Sequence, residues 1–149
     1  MTHINLCEEA KMYRKRLGDK GEEFVRQFLK KNGFEVLASQ FRVRSGEVDI
    51  VAYHRQKTLL IFTEVKLRTT DEFGTADAQC TKRKLARMKI AGREFILRRG
   101  EKLREEGYYF THIRYDFCAI SVRQQDEKNG KDGGRVKKKW KLTYYEGVG

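Results

Sequence analysis

The 149-residue sequence predicts an α/β domain, a restriction-endonuclease-like mixed sheet flanked by helices, on three observations. Segment 57–67 holds the run Leu59-Leu60-Ile61-Phe62 and is apolar through most of its interior, as in a central strand covered on both faces. Segments 19–32 and 81–99 carry apolar residues at helical spacing, one amphipathic helix for each face of a sheet. The other apolar segments are short and alternating, and Gly rather than Pro, which is absent, punctuates them. The length fits one domain able to bury roughly two-thirds of its unfolded surface. Nine Phe, seven Tyr and one Trp argue against global disorder.

Residues 1–16 are polar and basic and read as an N-terminal extension to a domain over 17–149. The first helix is predicted over 19–32, with Phe24, Val25, Phe28 and Leu29 as its apolar stripe. Asp19 and Glu22 have capping-box spacing, and Gly33 stands where a C-terminal cap belongs. Three strands are predicted at 34–43, 47–53 and 57–67, the second opened by Gly46 and joined to the third by a turn at 54–56. A polar loop over 69–80 leads to the second helix, whose inner face is Leu85, Met88, Gly92 and Phe95. Residues 100–112 connect to a strand at 114–122. A flexible loop rich in Gly and charge fills 124–135. The last strand, 136–145, alternates Lys with Val, Trp and Leu, as an edge strand does. The predicted order is α-β-β-β-α-β-β.

Composition narrows the function. Thirty-three Lys and Arg against 21 Asp and Glu give a net charge of +12, which favours a polyanionic partner. There is no apolar run of about 20 residues and no signal-peptide pattern, so a cytoplasmic protein without a membrane span is expected. Cys7, Cys80 and Cys118 are odd in number and far apart, fitting reduced thiols, and His3, His54 and His112 make no zinc-type spacing with them. Residues 80–99 hold eight basic residues against Glu94 alone. A solvated helix face would mix signs for pairing, so Lys82, Arg83, Lys84 and Arg87 read as a phosphate-tracking surface, extended by Arg42 and Arg44, and Arg68 joins them as a nucleic-acid-binding candidate.

The residues that carry chemistry sit on the second and third strands. Alternation places Glu64, Lys66 and Arg68 on one face, and Glu47 and Asp49 on one face of the neighbouring strand. Pairing through the 54–56 turn brings Asp49 and Glu64 together beside Lys66. Charges on an otherwise apolar strand are costly unless paired or bound to metal. Two carboxylates, an ammonium and a polyanionic partner suggest metal-assisted phosphodiester hydrolysis. Asp49 and Glu64 would hold Mg²⁺ (or Mn²⁺), and Lys66 would serve the attacking water or the phosphate.

The sequence is similar, over residues 17–122, to the PD-(D/E)XK nuclease superfamily. Asp49, followed after fourteen residues by Glu64-Val65-Lys66, carries the likeness. The wider text resembles the YraN-like bacterial proteins and, beyond them, archaeal Holliday junction resolvases. The matching stretches include Leu17-Gly18-x-x-Gly21-Glu22-Glu23, Gly33-Phe34, Phe41-Arg42, Gly46-Glu47-Val48-Asp49-Ile50-Val51-Ala52, Phe62-Thr63-Glu64-Val65-Lys66-Leu67-Arg68, Phe73-Gly74, Lys84 and Arg114-Tyr115-Asp116. Val48 stands where the superfamily name puts Pro. The resemblance implies a restriction-endonuclease-like fold and catalytic residues Asp49, Glu64 and Lys66, with Glu22 as an auxiliary carboxylate. It also implies an endonuclease acting on DNA, in particular branched or structured DNA, where a junction's two-fold symmetry would favour a homodimer.

Structural explanations stand beside these. Asp49, Glu64 and Lys66 could form an ion-pair cluster. Glu22 could complete the capping box, and Lys84 and Arg114 could pair with Asp116 or a helix carbonyl. The run Lys137, Lys138, Lys139 and Lys141 could simply be a charged edge. At the level of function the alternatives are a nucleic-acid-binding module that keeps the fold without cleaving, and a basic adaptor for an acidic protein or a membrane surface.

Overall fold

The structure, a computed structural model, describes residues 6–68, 80–125 and 137–149. Its elements are α1 (Leu6–Lys31), β1 (Phe34–Val43), β2 (Gly46–His54), β3 (Leu59–Arg68), α2 (Lys82–Glu105), β4 (His112–Gln125) and β5 (Lys137–Tyr145). The α-β-β-β-α-β-β order is the expected one. One five-stranded sheet runs β1-β2-β3-β4-β5. β1, β2 and β3 form an antiparallel meander. β4 returns parallel to β3, which requires the long crossover supplied by α2, and β5 closes antiparallel to β4.

β3 is the middle strand, and its apolar run is buried on both faces. Leu60 and Phe62 join Val51, Tyr53, Ala91 and Phe95 in the core beneath α2. Leu59 and Ile61 join Val25, Leu29, Ile50 and Ile120 beneath α1. Among the described residues, no helix is long and apolar enough to cross a membrane.

Both helices are longer than the sequence suggests. α1 begins at Leu6 rather than Asp19. Leu17 is buried, and the Tyr13 hydroxyl accepts a hydrogen bond from Lys138 Nζ at 3.1 Å, so tertiary contacts carry the helix past the apparent cap. Asp19 lies mid-helix and caps nothing, which removes the capping-box explanation of Glu22. Gly33, at φ +85°, ends the helix in the left-handed region as expected. α2 starts as predicted, with Thr81 Oγ1 accepting from the Lys84 N–H at 3.2 Å. It continues past Arg99 to Glu105 because Gly100 is buried within the helix and Leu103 pins the last turn to the core. The expected connection over 100–112 therefore shrinks to 106–111. The turn before β3 falls at 55–58, not 54–56, and β4 begins two residues before and ends three residues after the predicted 114–122. Apart from Cys80, the loop expected over 69–80 lies outside the described residues. So does that over 124–135, apart from Gln124 and Gln125, which pair with Lys138 and Lys137 in the ladder.

Two contacts fix the frame around the strand ends. A Cβ added at Gly46 would stand 2.4 Å from the Arg87 carbonyl oxygen and 2.8 Å from the Ala91 nitrogen, so the start of β2 lies against the backbone of α2. Asp116, fully buried on β4, is satisfied by two bonds from Arg114 at 2.7 and 2.9 Å, the Tyr144 hydroxyl at 2.7 Å and the Gly147 N–H at 2.9 Å. Arg114 thus takes the structural role that the sequence left open for it.

Candidate active site

The β2–β3 ladder stops at the Ile50–Thr63 pair, whereas β3 runs on to Arg68 against β4. The two strands part there, leaving a fork. Asp49 fills its crotch: Oδ2 accepts the Val65 N–H at 2.8 Å, so a side chain replaces the missing ladder bond. Strand alternation from Leu60 and Phe62 carries Glu64 and Lys66 to the α2 side, while Val65 and Leu67 pack beneath α1. Glu64 is 7% exposed. Its Oε1 accepts Lys84 Nζ at 2.9 Å, and its Oε2 is buried with no hydrogen-bond partner. Lys66 is half-buried, as is Arg68 at the strand end.

The electrostatics follow from that packing. Burial, joined by the neighbouring Glu64 charge, pushes the Asp49 carboxyl up to about 7; the Val65 N–H opposes the rise and the Glu22 charge adds to it. Two carboxylates face each other in a half-dry fork with Lys84 as the cation given to Glu64. Lys84, one of the residues expected on the nucleic-acid face, ties the first turn of α2 to the acidic pair.

Glu22 reaches the same region from α1. Its Oε1 accepts the Gln40 amide, and Arg26 lies 3.8 Å away. Gln40 had no signal in the sequence. It sits on β1 between the Ser39–Ile50 and Phe41–Val48 pairs, across from Asp49, with φ +53°. A long side chain in the left-handed region is uncommon and strained, and nothing in a Gln codes for it. The structure therefore gathers Asp49, Glu64 and Glu22 at the open end of the sheet, with Lys66 following Glu64 on β3.

The basic residues divide. Lys82 and Arg83 are exposed on the first turn of α2, which has no acidic residue although the helix dipole favours one there. Arg87 pairs with Glu47 at 3.7 Å. Arg42 is exposed and donates to Gln40 Oε1 at 3.0 Å, and Arg44 is exposed in the β1–β2 turn. Farther along α2 the cations serve the fold: Arg98 pairs with Glu94, and Arg99 lies over the Phe41 and Phe95 rings.

The donor set fits a hard divalent cation. The Asp49–Glu64 pair offers carboxylate oxygens, one of them orphaned, and like charges that a cation would neutralise. Among the described residues no three His, Cys, Asp or Glu close into a complete cage. A cation would rest on two carboxylates and water, which is how Mg²⁺ is commonly held.

Similar proteins cover most of this chain. A protein of Carboxydothermus hydrogenoformans described as a UPF0102 protein is 34% identical over 117 residues, 78% of this chain and 90% of its own. The UPF0102 protein of Pelotomaculum thermopropionicum is 31% identical over 133 residues, 89% of this chain and 94% of its own. That of Dictyoglomus thermophilum is 35% identical over 120 residues, 80% and 91% of the two chains. Residues 21–120, which hold Glu22, Gln40, Asp49, Glu64, Lys66 and Lys84, match a family as a whole, and the chain belongs to it: the uncharacterised protein family UPF0102.

Proposed function

We propose that the protein is a Mg²⁺-dependent endonuclease that hydrolyses phosphodiester bonds in DNA, with branched or structured DNA as its preferred substrate. The observation that carries this reading is the fork itself. Two carboxylates are held together in a partly dry crotch where burial and mutual repulsion push Asp49 up to about 7, and one oxygen of Glu64 has no partner. Buried like charges weaken a fold, so an arrangement built around them points to a bound cation.

Asp49 and Glu64 would hold the Mg²⁺, which when bound polarises a phosphate and acidifies its water. Val65 N–H keeps the Asp49 carboxylate aimed into the fork. Lys66, on the same side of β3 as Glu64, orients the attacking water or stabilises charge growing on the phosphate. Lys84 fixes the rotamer of Glu64 through its 2.9 Å bond. Glu22, steadied by Gln40, adds an acceptor at the rim. Lys82, Arg83, Arg42 and Arg44 are exposed around the opening and serve the sugar-phosphate backbone, a sequence-independent contact.

Cleavage of labelled four-way junction, flap, splayed, single-stranded and duplex DNA in Mg²⁺ or Mn²⁺ at low salt tests the reading. Wild type should cut and Lys66→Ala should bind without cutting. The exposed Lys82, Arg83, Arg42 and Arg44, which can hold a phosphate backbone whether or not the fork holds a cation, leave a second reading, a nucleic-acid-binding module that does not cleave. In that case both proteins shift the DNA equally, neither cuts, and Lys66 counts as no more than another phosphate contact.

A further inference from the structure

We infer that the face of α1 bearing Glu22 continues away from the fork as a track for the backbone of the bound nucleic acid. This rests on reading the fork as a nucleic-acid site. Positions 22, 18, 15 and 11 follow one another at spacings of four, three and four residues, a single row on a helix. Glu22 faces the fork; Gly18 comes next, with the exposed Asp19 alongside it, then Lys15 and Lys11, with Arg14 beside them. Lys11, Arg14 and Lys15 are exposed. From Glu22 to Lys11 the row spans about 16 Å, the axial reach of roughly five nucleotides of one B-form strand. Glu8, one turn beyond, reverses the sign and closes the track.

Gly18 supplies an independent observation. A Gly within a helix is unfavourable, and a neighbour that leaves no room for Cβ is one reason for it. Gly92 in α2 shows that case, with the Tyr115 hydroxyl oxygen at 2.8 Å and Tyr115 Cε1 at 3.1 Å from an added Cβ. At Gly18 a Cβ would meet nothing within 4 Å. The missing side chain leaves a bare notch in the row between an acidic residue at the fork and the cations beyond it. A phosphate backbone that approaches the helix closely is the ligand that fits such a notch.

The arm is anchored. Leu17 is 4% exposed, and the Lys138 ammonium sits 5.1 Å from the centre of the Tyr13 ring while bonding its hydroxyl. Lys138 pairs with Gln124, three residues along β4 from the partner of Arg68, so the arm projects from the same end of the sheet as the fork. It lies on the face opposite α2. Nucleic acid seated on the fork would thus be held from both faces, by Lys82 and Arg83 on one side and Lys15, Arg14 and Lys11 on the other.

The test is anisotropy of a labelled four-way junction and a duplex across a salt series, with chelator present so that nothing is cut. Gly18→Glu places a carboxylate in the notch and improves helix propensity. It should melt at or above wild type, by up to about 4 °C, yet bind at least tenfold more weakly. Gln56→Glu, the same charge change in the exposed turn at the far end of the sheet, should bind as wild type does. Lys11→Ala/Lys15→Ala should flatten the logarithmic salt dependence by about two. The track is overturned if Gly18→Glu binds like wild type, or if Gln56→Glu weakens binding equally. Wild type that fails to bind at low salt overturns the function proposal and the track together. Wild type that binds, never cuts, and is selectively weakened by Gly18→Glu upholds the track while removing the nuclease.

Discussion

Replacing Asp49 by Asn should stabilise the protein while destroying its chemistry. Burial and the Glu64 charge raise the Asp49 carboxyl from 3.8 to about 7. At roughly 1.4 kcal/mol per pH unit, that rise makes the ionised group cost about 4 kcal/mol of folding free energy at pH 8, as a ceiling. Between pH 4 and 7 the folded chain keeps a proton that the unfolded chain has released. Stability therefore falls as pH rises through that window and levels off above it. Asn cannot titrate and still accepts the Val65 N–H through Oδ1, losing only about 1–2 kcal/mol of charge assistance. The net gain at pH 8 is about 2–3 kcal/mol, or roughly 4–10 °C in Tm for a chain of this length. At pH 4 the gain should vanish. Thermal melts of both proteins in chelator at pH 4, 6 and 8 measure it. A variant that melts below wild type at pH 8, or a difference that does not grow with pH, would refute the argument that the fork holds repelling charges.

Other substitutions probe the surroundings. Gln40→Asn keeps a residue that tolerates the left-handed backbone but draws the amide back from Glu22. It should melt at or above wild type and cut about tenfold more slowly, and unchanged turnover would remove Glu22 from the site. Gly46→Ala drives a methyl into the Arg87 carbonyl and should cost about 2–4 kcal/mol, read as a Tm lower by about 5–15 °C. A change under 2 °C would mean that β2 and α2 do not meet as described. Asp116→Asn removes the buried charge that Arg114 grips, leaving Glu146 at 3.5 Å as its ion partner, and should cost about 1–3 kcal/mol in chemical denaturation, with metal affinity at the fork unaltered. A shift in that affinity would place Asp116 in the chemistry.

Much of this molecule is legible in its sequence, because the hydrophobic pattern dictates it. The unbroken run on β3 marks a strand with helices on both faces, and alternation along Asp49 and Glu64 points both carboxylates to one place before any coordinate is known. What the sequence conceals is set by contacts distant in the chain. Asp19 reads as a cap, yet Leu17 and the Tyr13–Lys138 contact carry α1 through it. The second helix reads as ending at Arg99, yet the burial of Leu103 carries it through Gly100 to Glu105 despite the poor propensity of Gly. Lys84 reads as one more cation in a basic run, and only the crossover of α2 puts it 2.9 Å from Glu64. Gln40 has no sequence signature at all, because nothing in a Gln codes for the left-handed backbone it adopts between the Ser39–Ile50 and Phe41–Val48 pairs.

Titrating Mn²⁺ into the protein at pH 7.5 in the absence of nucleic acid, following heat and proton release, shows whether the fork is a cation site. One site should appear, with protons released because Asp49 must ionise to bind. It should be lost in Asp49→Asn and Glu64→Gln and kept in Lys66→Ala. No binding by wild type, or binding that survives both carboxylate changes, would contradict the account.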